Sequence, residues 1–256
     1  MSVMGGNQAR TASLSLSQAR GPDGLRLYAI GDIHGRRDLL EQMHALVDED
    51  IRRAGAADWR VIYLGDYVDR GPDSRGVLDI LASLRGDPRR VMLAGNHDAA
   101  FLAFLDKPDL RGVFANNGGA ETARSYGVDM NFRDYADDPD ALLRDHARLV
   151  ATLPGVHRQF LEGLPHCISF GDFFFCHAGV RPGVALDRQS PDDLMWIRAP
   201  FLETDQLFAK VIVHGHTISP GPVTRANRIG IDTGAVKTGR LTALIIQGGQ
   251  RAFLST

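Results

Sequence analysis

Residues 25–40 read LRLYAIGDIHGRRDLL. The apolar run fits a buried strand. It breaks at Gly31 into Asp32 and His34, two ionisable side chains one residue apart, before Gly35 and a stretch with helical spacing. Strand, short polar turn and helix together make the repeating unit of an open α/β sheet, where the residues just past the strand ends share one edge. The adjoining glycines permit a tight turn and close backbone approach there.

The pattern recurs along the chain. RVIYLGD leads into GDYVDRG with Asp66, Asp69 and Arg70, and RRVMLAGN leads into GNHD with Asn96, His97 and Asp98. DFFFCHAG ends at His177, and KVIVHGHT ends at His214 and His216. Between the early runs, Leu39, Leu40, Met43, Leu46, Val47 and Ile51 recur at steps of three and four, as do Val77, Leu78, Leu81 and Leu84. The first half therefore predicts βαβαβα and a mixed or parallel sheet covered by helices. Residues 99–165 carry mostly helical patterns broken by NNGG, DDPD and LPG, and read as an insert beside the site. CISFGDFFFC then reads as a hairpin turning at Gly171-Asp172, and the later runs, RIGIDTG and LTALIIQ among them, as part of a second sheet. Residues 1–24 read as a mobile polar tail, and residues 25–256 as one domain.

Composition narrows the function classes. The chain has 256 residues, 44% of them hydrophobic, enough for a full core. Twenty-nine basic residues against 31 acidic ones leave a net charge of −2, so no long basic track is available for nucleic acid or an anionic membrane, and any phosphate must be recognised locally. No apolar stretch has the length of a membrane span, and the first residues lack the apolar region of a secretory signal. Cys167 and Cys176 have no C-x-x-C spacing, which argues against a zinc ribbon or disulfide framework and suits the cytoplasm.

Taken singly, these turns are ordinary. A lone Asp32 reads as a helix N-cap, Asp98 as the cap of the helix after GNHD, and a lone buried histidine as a core hydrogen-bonding residue. Together they bring several carboxylates and imidazoles to one edge, where like charges repel unless cations neutralise them. Oxygen and nitrogen donors without thiolate suit Mn, Fe or Zn. A shared carboxylate holds two such ions roughly 3.5–4 Å apart in two-metal hydrolases. His44, His146, His157 and His166 have no comparable setting.

GDIHG, GDYVDRG, GNHD, a later strand-end histidine and GHT, in this order over roughly residues 26–247, resemble the calcineurin-like metallophosphoesterase superfamily. Within it they are similar to the compact bacterial and phage form of the phosphoprotein phosphatase family of serine/threonine phosphatases. The resemblance implies a four-layer α/β/β/α sandwich of two mixed sheets, with a dinuclear metal centre at the strand C-terminal ends. It implies that Asp32 and His34 hold the first metal, that Asp66 bridges, and that Asn96, His177 and His216 complete the second. It makes His97 the catalytic histidine oriented by Asp69, with Arg70 and Asn96 on the substrate phosphate. Arg198, in LMWIRAPF, resembles a second phosphate-gripping arginine. His214 would share a strand face with His216 and stands as an alternative ligand. Asp98 replaces the glutamate common in the family.

The implied activity is hydrolysis of a phosphorylated protein or peptide by a hydroxide shared between two divalent ions, manganese foremost. Enzymes that hydrolyse diadenosine tetraphosphate share the scaffold but tend to carry glutamine at the position of His34. A phosphopeptide-binding module without turnover is a further alternative, for which no missing residue speaks.

Overall fold

The computed structural model describes residues 13–256. After the strand β1 (Leu25–Ile30) come α1 (Arg37–Ala54), β2 (Asp58–Tyr63), α2 (Ser74–Ser83) and the short β3 (Arg90–Met92). A helical stretch follows: α3 (Asn96–Asp106), α4 (Val113–Asn116), α5 (Gly119–Ser125), α6 (Pro139–Thr152) and α7 (Gly155–Glu162). Next are the hairpin β4 (Cys167–Phe170) and β5 (Phe173–Cys176), then α8 (Pro191–Trp196), α9 (Ala199–Leu202) and β6 (Val211–His214). The remaining elements are β7 (Val223–Thr224), β8 (Arg228–Gly230), α10 (Ala235–Thr238), β9 (Thr242–Gln247) and β10 (Gln250–Ser255).

Two mixed five-stranded sheets result, ordered β10-β9-β1-β2-β3 and β4-β5-β6-β8-β7. β1, β2 and β3 run parallel, as do β5, β6 and β8, and the remaining strands pair antiparallel at the flanks. Period-two alternation sorts the side chains of the parallel strands into two buried faces, as expected when both faces are covered. On β1, Leu27 and Ala29 join Ile62, Leu64, Phe173, Phe175, Val211 and Val213 between the sheets. Tyr28 and Ile30 face the other way, onto Leu40, Met43 and Val47 of α1 and Val77 and Leu81 of α2. The outer face of the second sheet packs Phe174 and Ile212 on Leu194 of α8 and Phe201 of α9. The architecture is thus a four-layer α/β/β/α sandwich.

Three expectations need correction. LTALIIQ, expected in the second sheet, forms β9 of the first, because Ala243–Gln247 pair antiparallel with Arg26–Ile30 of β1 and only RIGIDTG stays with the second sheet. Residues 13–24 are not a mobile tail, whereas residues 1–12 lie outside the described residues. Leu14 N–H donates to the Phe208 carbonyl (2.8 Å), Leu16 N–H to Ala226 (2.7 Å) and Gly21 N–H to Gly248 (2.9 Å). Arg20 N–H donates to Asp172 Oδ2 (2.9 Å), and Ala19 is only 1% exposed. Sparse apolar residues among serines hide this docking, which joins these backbone bonds to Leu14, Leu16 and Ala19 packed on the inter-sheet core. The last difference is β10, which the sequence did not suggest: it is a half-exposed edge strand, QRAFLS, whose apolar residues fall together rather than alternating.

If the 13–24 segment is part of the core, Ala19→Asp buries an unpaired carboxylate and should cost several kcal/mol, lowering Tm by at least about 5 °C on the usual scale for a domain of this size. The exposed Ser17→Asp should leave Tm within about a degree. Equal melting curves for the two variants would show that the segment contributes nothing.

Candidate metal centre and phosphate cleft

The parallel strands deliver their carboxyl ends to one edge. From the first sheet come Asp32 after β1, Asp66 and Asp69 after β2, and Asn96 and His97 after β3; from the second come His177 after β5 and His216 after β6. Seating them demands unusual backbone. Among the described residues, the non-glycine positions with positive φ are His34 (46°), Asp66 (55°), Asp69 (73°), Arg70 (69°) and His216 (63°). This left-handed region costs an L-residue roughly 1–2 kcal/mol. In each case the residue's own N–H is caught: His34 by Asp66 O (2.8 Å) and Arg70 by Gly118 O (3.0 Å); Asp66 by Asp98 Oδ2 (2.8 Å), Asp69 by Thr122 Oγ1 (2.8 Å) and His216 by Asp32 Oδ1 (3.1 Å). Two glycines are required for a different reason. A Cβ at Gly95 would lie 2.2 Å from Asp66 Oδ1, and one at Gly215 would lie 2.1 Å from Asp32 Oδ1.

The donors form two buried groups that meet at Asp66. Its Oδ2 lies 3.4 Å from His34 Nε2 and 3.4 Å from His177 Nε2. His34, Asp66 and His97 on one side, and Asp66, His177 and His216 on the other, each have ligand atoms close enough to hold a metal ion. Backbone carbonyls set the tautomers: His34 Nδ1 donates to Val68 O (2.8 Å) and His177 Nδ1 to Leu64 O (2.9 Å), leaving each Nε2 with a lone pair turned inward.

Electrostatics agree with a cation site. Burial and the Asp232 and Asp66 carboxylates push the Asp32 carboxyl well above its usual range. Burial lifts Asp66 to about 6, against the pull of His97. Burial, with the neighbouring cations Arg70 and His97, holds His34 well below the ordinary imidazole value. Burial followed by His216 does the same to His177, and burial followed by Arg198 and His97 takes His216 down to about 3. The imidazoles are therefore neutral, which is their ligating form, while the carboxylates repel one another. His177 Nε2 faces further acceptors, Asn96 Oδ1 at 2.9 Å and Asp66, and the buried Nε2 of His216 has no hydrogen-bond partner. Lone pairs converging in this way fit divalent cations.

The cluster opens into a cleft of about 330 Å³ lined by Arg70, Asn96, His97, Arg198 and His216, with Val113, Asn117, Trp196 and Ile218 at its rim. His97 Nδ1 lies 2.6 Å from Asp69 Oδ2, and the other oxygen of Asp69 accepts from Thr122 Oγ1 at 2.8 Å. Burial opposes the imidazolium of His97, but Asp66 and Asp69 outweigh it and raise its pKa. The Arg70 fork donates to His34 Nε2 and His97 Nε2, both at 2.7 Å. The His34 lone pair can thus serve the guanidinium or a cation, but not both. Arg198 is exposed at the cleft. His214 stands apart: its ring lies edge-on to Phe201 (5.1 Å between centroids), its Nδ1 meets Gly215 O, and it belongs to neither metal-capable group.

Some site residues escaped the sequence reading. Asp232, after β8, is buried, accepts from Gly234 N–H (2.9 Å), and its charge helps to raise the Asp32 carboxyl. RIGIDTG carried the same strand-turn-carboxylate signal as the other turns. Thr122 and Asn117 come from the insert, where NNGGAET was the only cue. Asp98 does more than cap: besides Asp66 N–H, its carboxylate accepts from Gly95 N–H (2.9 Å) and Tyr67 N–H (2.9 Å), clamping the β2 turn to α3.

Comparison with known proteins agrees with this geometry. A family model described as calcineurin-like phosphoesterase matches residues 25–239. The chain is 26% identical to serine/threonine-protein phosphatase 2 of Escherichia coli K12, over 84% of this chain and 90% of that protein. It is 28% identical to the asymmetrical bis(5'-nucleosyl)-tetraphosphatase PrpE of Anoxybacillus flavithermus, over 84% of this chain and 88% of that protein. Among solved structures, the cold-active protein-tyrosine phosphatase of a psychrophilic Shewanella superposes with a TM-score of 0.52 at 16% identity, covering 93% of this chain and 84% of that one, a likeness of fold. With the sandwich, the acceptor-rich edge and a family match spanning most of its length, the chain belongs to the calcineurin-like phosphoesterases.

Proposed function

We propose that the protein is a phosphomonoesterase acting on phosphoserine and phosphothreonine of proteins or peptides in the cytoplasm, with two divalent ions, manganese foremost. The observation that carries this reading is the His97–Asp69 pair at 2.6 Å, facing a cleft that also presents Arg70 and Arg198 beside the carboxylate–imidazole cluster. On this reading Asp32 and His34 hold one ion, Asn96, His177 and His216 the other, and Asp66 both. When bound, such ions supply Lewis acidity toward the phosphoryl oxygens and toward water.

The protein's own groups do the rest. Arg70 and Arg198 bind and orient the phosphoryl group, their planar forks matching its oxygens. Once the Arg70 fork turns to the phosphoryl oxygens, His97 Nε2 is free to carry a proton and gives it to the departing alkoxide, while Asp69 accepts the Nδ1–H hydrogen bond and fixes the tautomer. Thr122 keeps the Asp69 carboxylate from turning away. A second reading, hydrolysis of a dinucleoside polyphosphate, draws on the relative named for that activity; His34, where such enzymes tend to carry glutamine, favours the phosphoprotein.

Three measurements test the reading. Calorimetric titration with Mn²⁺ should find two sites in the wild-type protein, none in Asp66→Asn, and one much weakened site in Asn96→Ala; a single site in active wild-type protein would overturn the two-ion assignment. Arg198→Ala should lower kcat/KM by about tenfold to a hundredfold without changing Tm, and unchanged kinetics would make it a surface charge.

The third concerns the leaving group, since an alkoxide needs a proton in the transition state and a nitrophenolate does not. His97→Asn should therefore depress hydrolysis of a phosphoserine peptide far more than that of p-nitrophenyl phosphate. Equal depression with both ions bound would remove His97 from the acid role, and faster turnover of diadenosine tetraphosphate than of any phosphopeptide would favour the second reading.

A further inference from the structure

The two cysteines are opposite each other in the β4–β5 hairpin: Cys167 pairs with Cys176 in the antiparallel register. Counting outward from the two-residue turn at Gly171-Asp172, Phe170–Phe173 is the hydrogen-bonded pair that closes it. The pairs then alternate, which makes Cys167–Cys176 a non-hydrogen-bonded pair. At such positions the Cα atoms stand about 4.5 Å apart, inside the span that a disulfide bridges.

The side chains also share a face. Ile168, Phe170, Phe173 and Phe175 point between the sheets, whereas Cys167 and Cys176 both point toward the layer of α8 and α9. β4 is an edge strand, and Cys167 is half-buried there, while Cys176 is buried.

We propose that Cys167 and Cys176 are a reversible oxidation site, closing a cross-strand disulfide under a peroxide and thereby disabling the adjoining metal site. Peroxide reaches the half-buried Cys167 first, converting its thiol to a sulfenic acid with loss of one water; the Cys176 sulfur then displaces a second water and the S–S bond forms. Two equivalents of a small thiol restore both cysteines and become a disulfide themselves. In a reducing compartment such a bond is transient, as suits a sensor.

The link to the site is one residue long. Cys176 precedes His177, and its S–H donates to Gly179 O at 3.4 Å, bracing the turn that carries the imidazole. A disulfide removes that donor and pulls the sulfur toward β4. The turn has little slack, because the ring of Phe201 lies 2.2 Å from where a Cβ on Gly179 would stand. The strain therefore falls on His177, whose carbonyl accepts from Gly215 N–H (2.8 Å) and whose Nδ1 donates to Leu64.

The test exposes Mn²⁺-loaded wild-type protein and Cys167→Ser to hydrogen peroxide, quenches, and denatures in N-ethylmaleimide before mass analysis. Both cysteines lie in the tryptic peptide from Gln159 to Arg188, because Pro182 blocks cleavage after Arg181. The wild-type peptide should be two hydrogens lighter and unalkylated, and hydrolysis of p-nitrophenyl phosphate should fall at least fivefold and return with dithiothreitol. Cys167→Ser should lose less than twofold. Alkylation of both wild-type thiols, or sulfinic acid at one of them without a bridge, overturns the site. A bridge with unchanged Mn²⁺ affinity and activity, or equal inactivation of the variant, overturns its effect on the metal centre. The mass result does not depend on the phosphatase reading and would survive its failure.

Discussion

Turning a side chain out of a strand end toward its neighbours requires backbone that an L-residue resists, and the site depends on meeting that requirement at His34, Asp66, Asp69, Arg70 and His216. Each kink is held by a hydrogen bond from a different element, so the strain is over-determined rather than relaxed. Asp98 illustrates the economy: one carboxylate accepts three backbone N–H groups, capping α3 while fixing the turn that carries Asp66.

The second constraint is electrostatic. Three buried carboxyls, Asp32, Asp66 and Asp232, meet neutral imidazoles whose lone pairs point inward, and burial makes both their repulsion and their unmet hydrogen-bonding capacity expensive. In the structure Arg70 relieves part of this by donating to His34 and His97. The same guanidinium lines the cleft, so one side chain joins the charge balance of the cluster to the positive charge at the cleft mouth.

Much of this was legible in the chain. GDIHG, GDYVDRG, GNHD and GHT announced themselves because strand-end glycine, carboxylate and imidazole recur with few local alternatives, and the apolar runs before them gave the parallel strands, whereas a run such as LTALIIQ does not say which sheet it joins. What escaped did so for identifiable reasons. Thr122 acts through a single hydroxyl on a helix that carries no chemical signature, and Asp232 follows a strand as ordinary as any turn aspartate. The docking of residues 13–24 rests on main-chain bonds and a few scattered apolar side chains, too few to make a periodic pattern. His214 and His216 were equivalent by periodicity, but the turn at Gly215 separates them, leaving one against Phe201 and the other in the cluster.

The position of β1 carries a kinetic consequence. This strand lies at the centre of its sheet, between β2 and β9, and its Arg26 meets Gln247 across 221 residues of sequence. Asp32 and His216 are 184 residues apart. Contacts of such long range form late and slowly, after the loop entropy of nearly the whole domain has been spent. A chain that has built only its first βαβαβα half therefore carries Asp32, Asp66 and Asn96 without His177 and His216, and such a half-set competes poorly for a divalent ion. A divalent ion bound by the complete set would report that both sheets have closed and would stabilise that state over the open one.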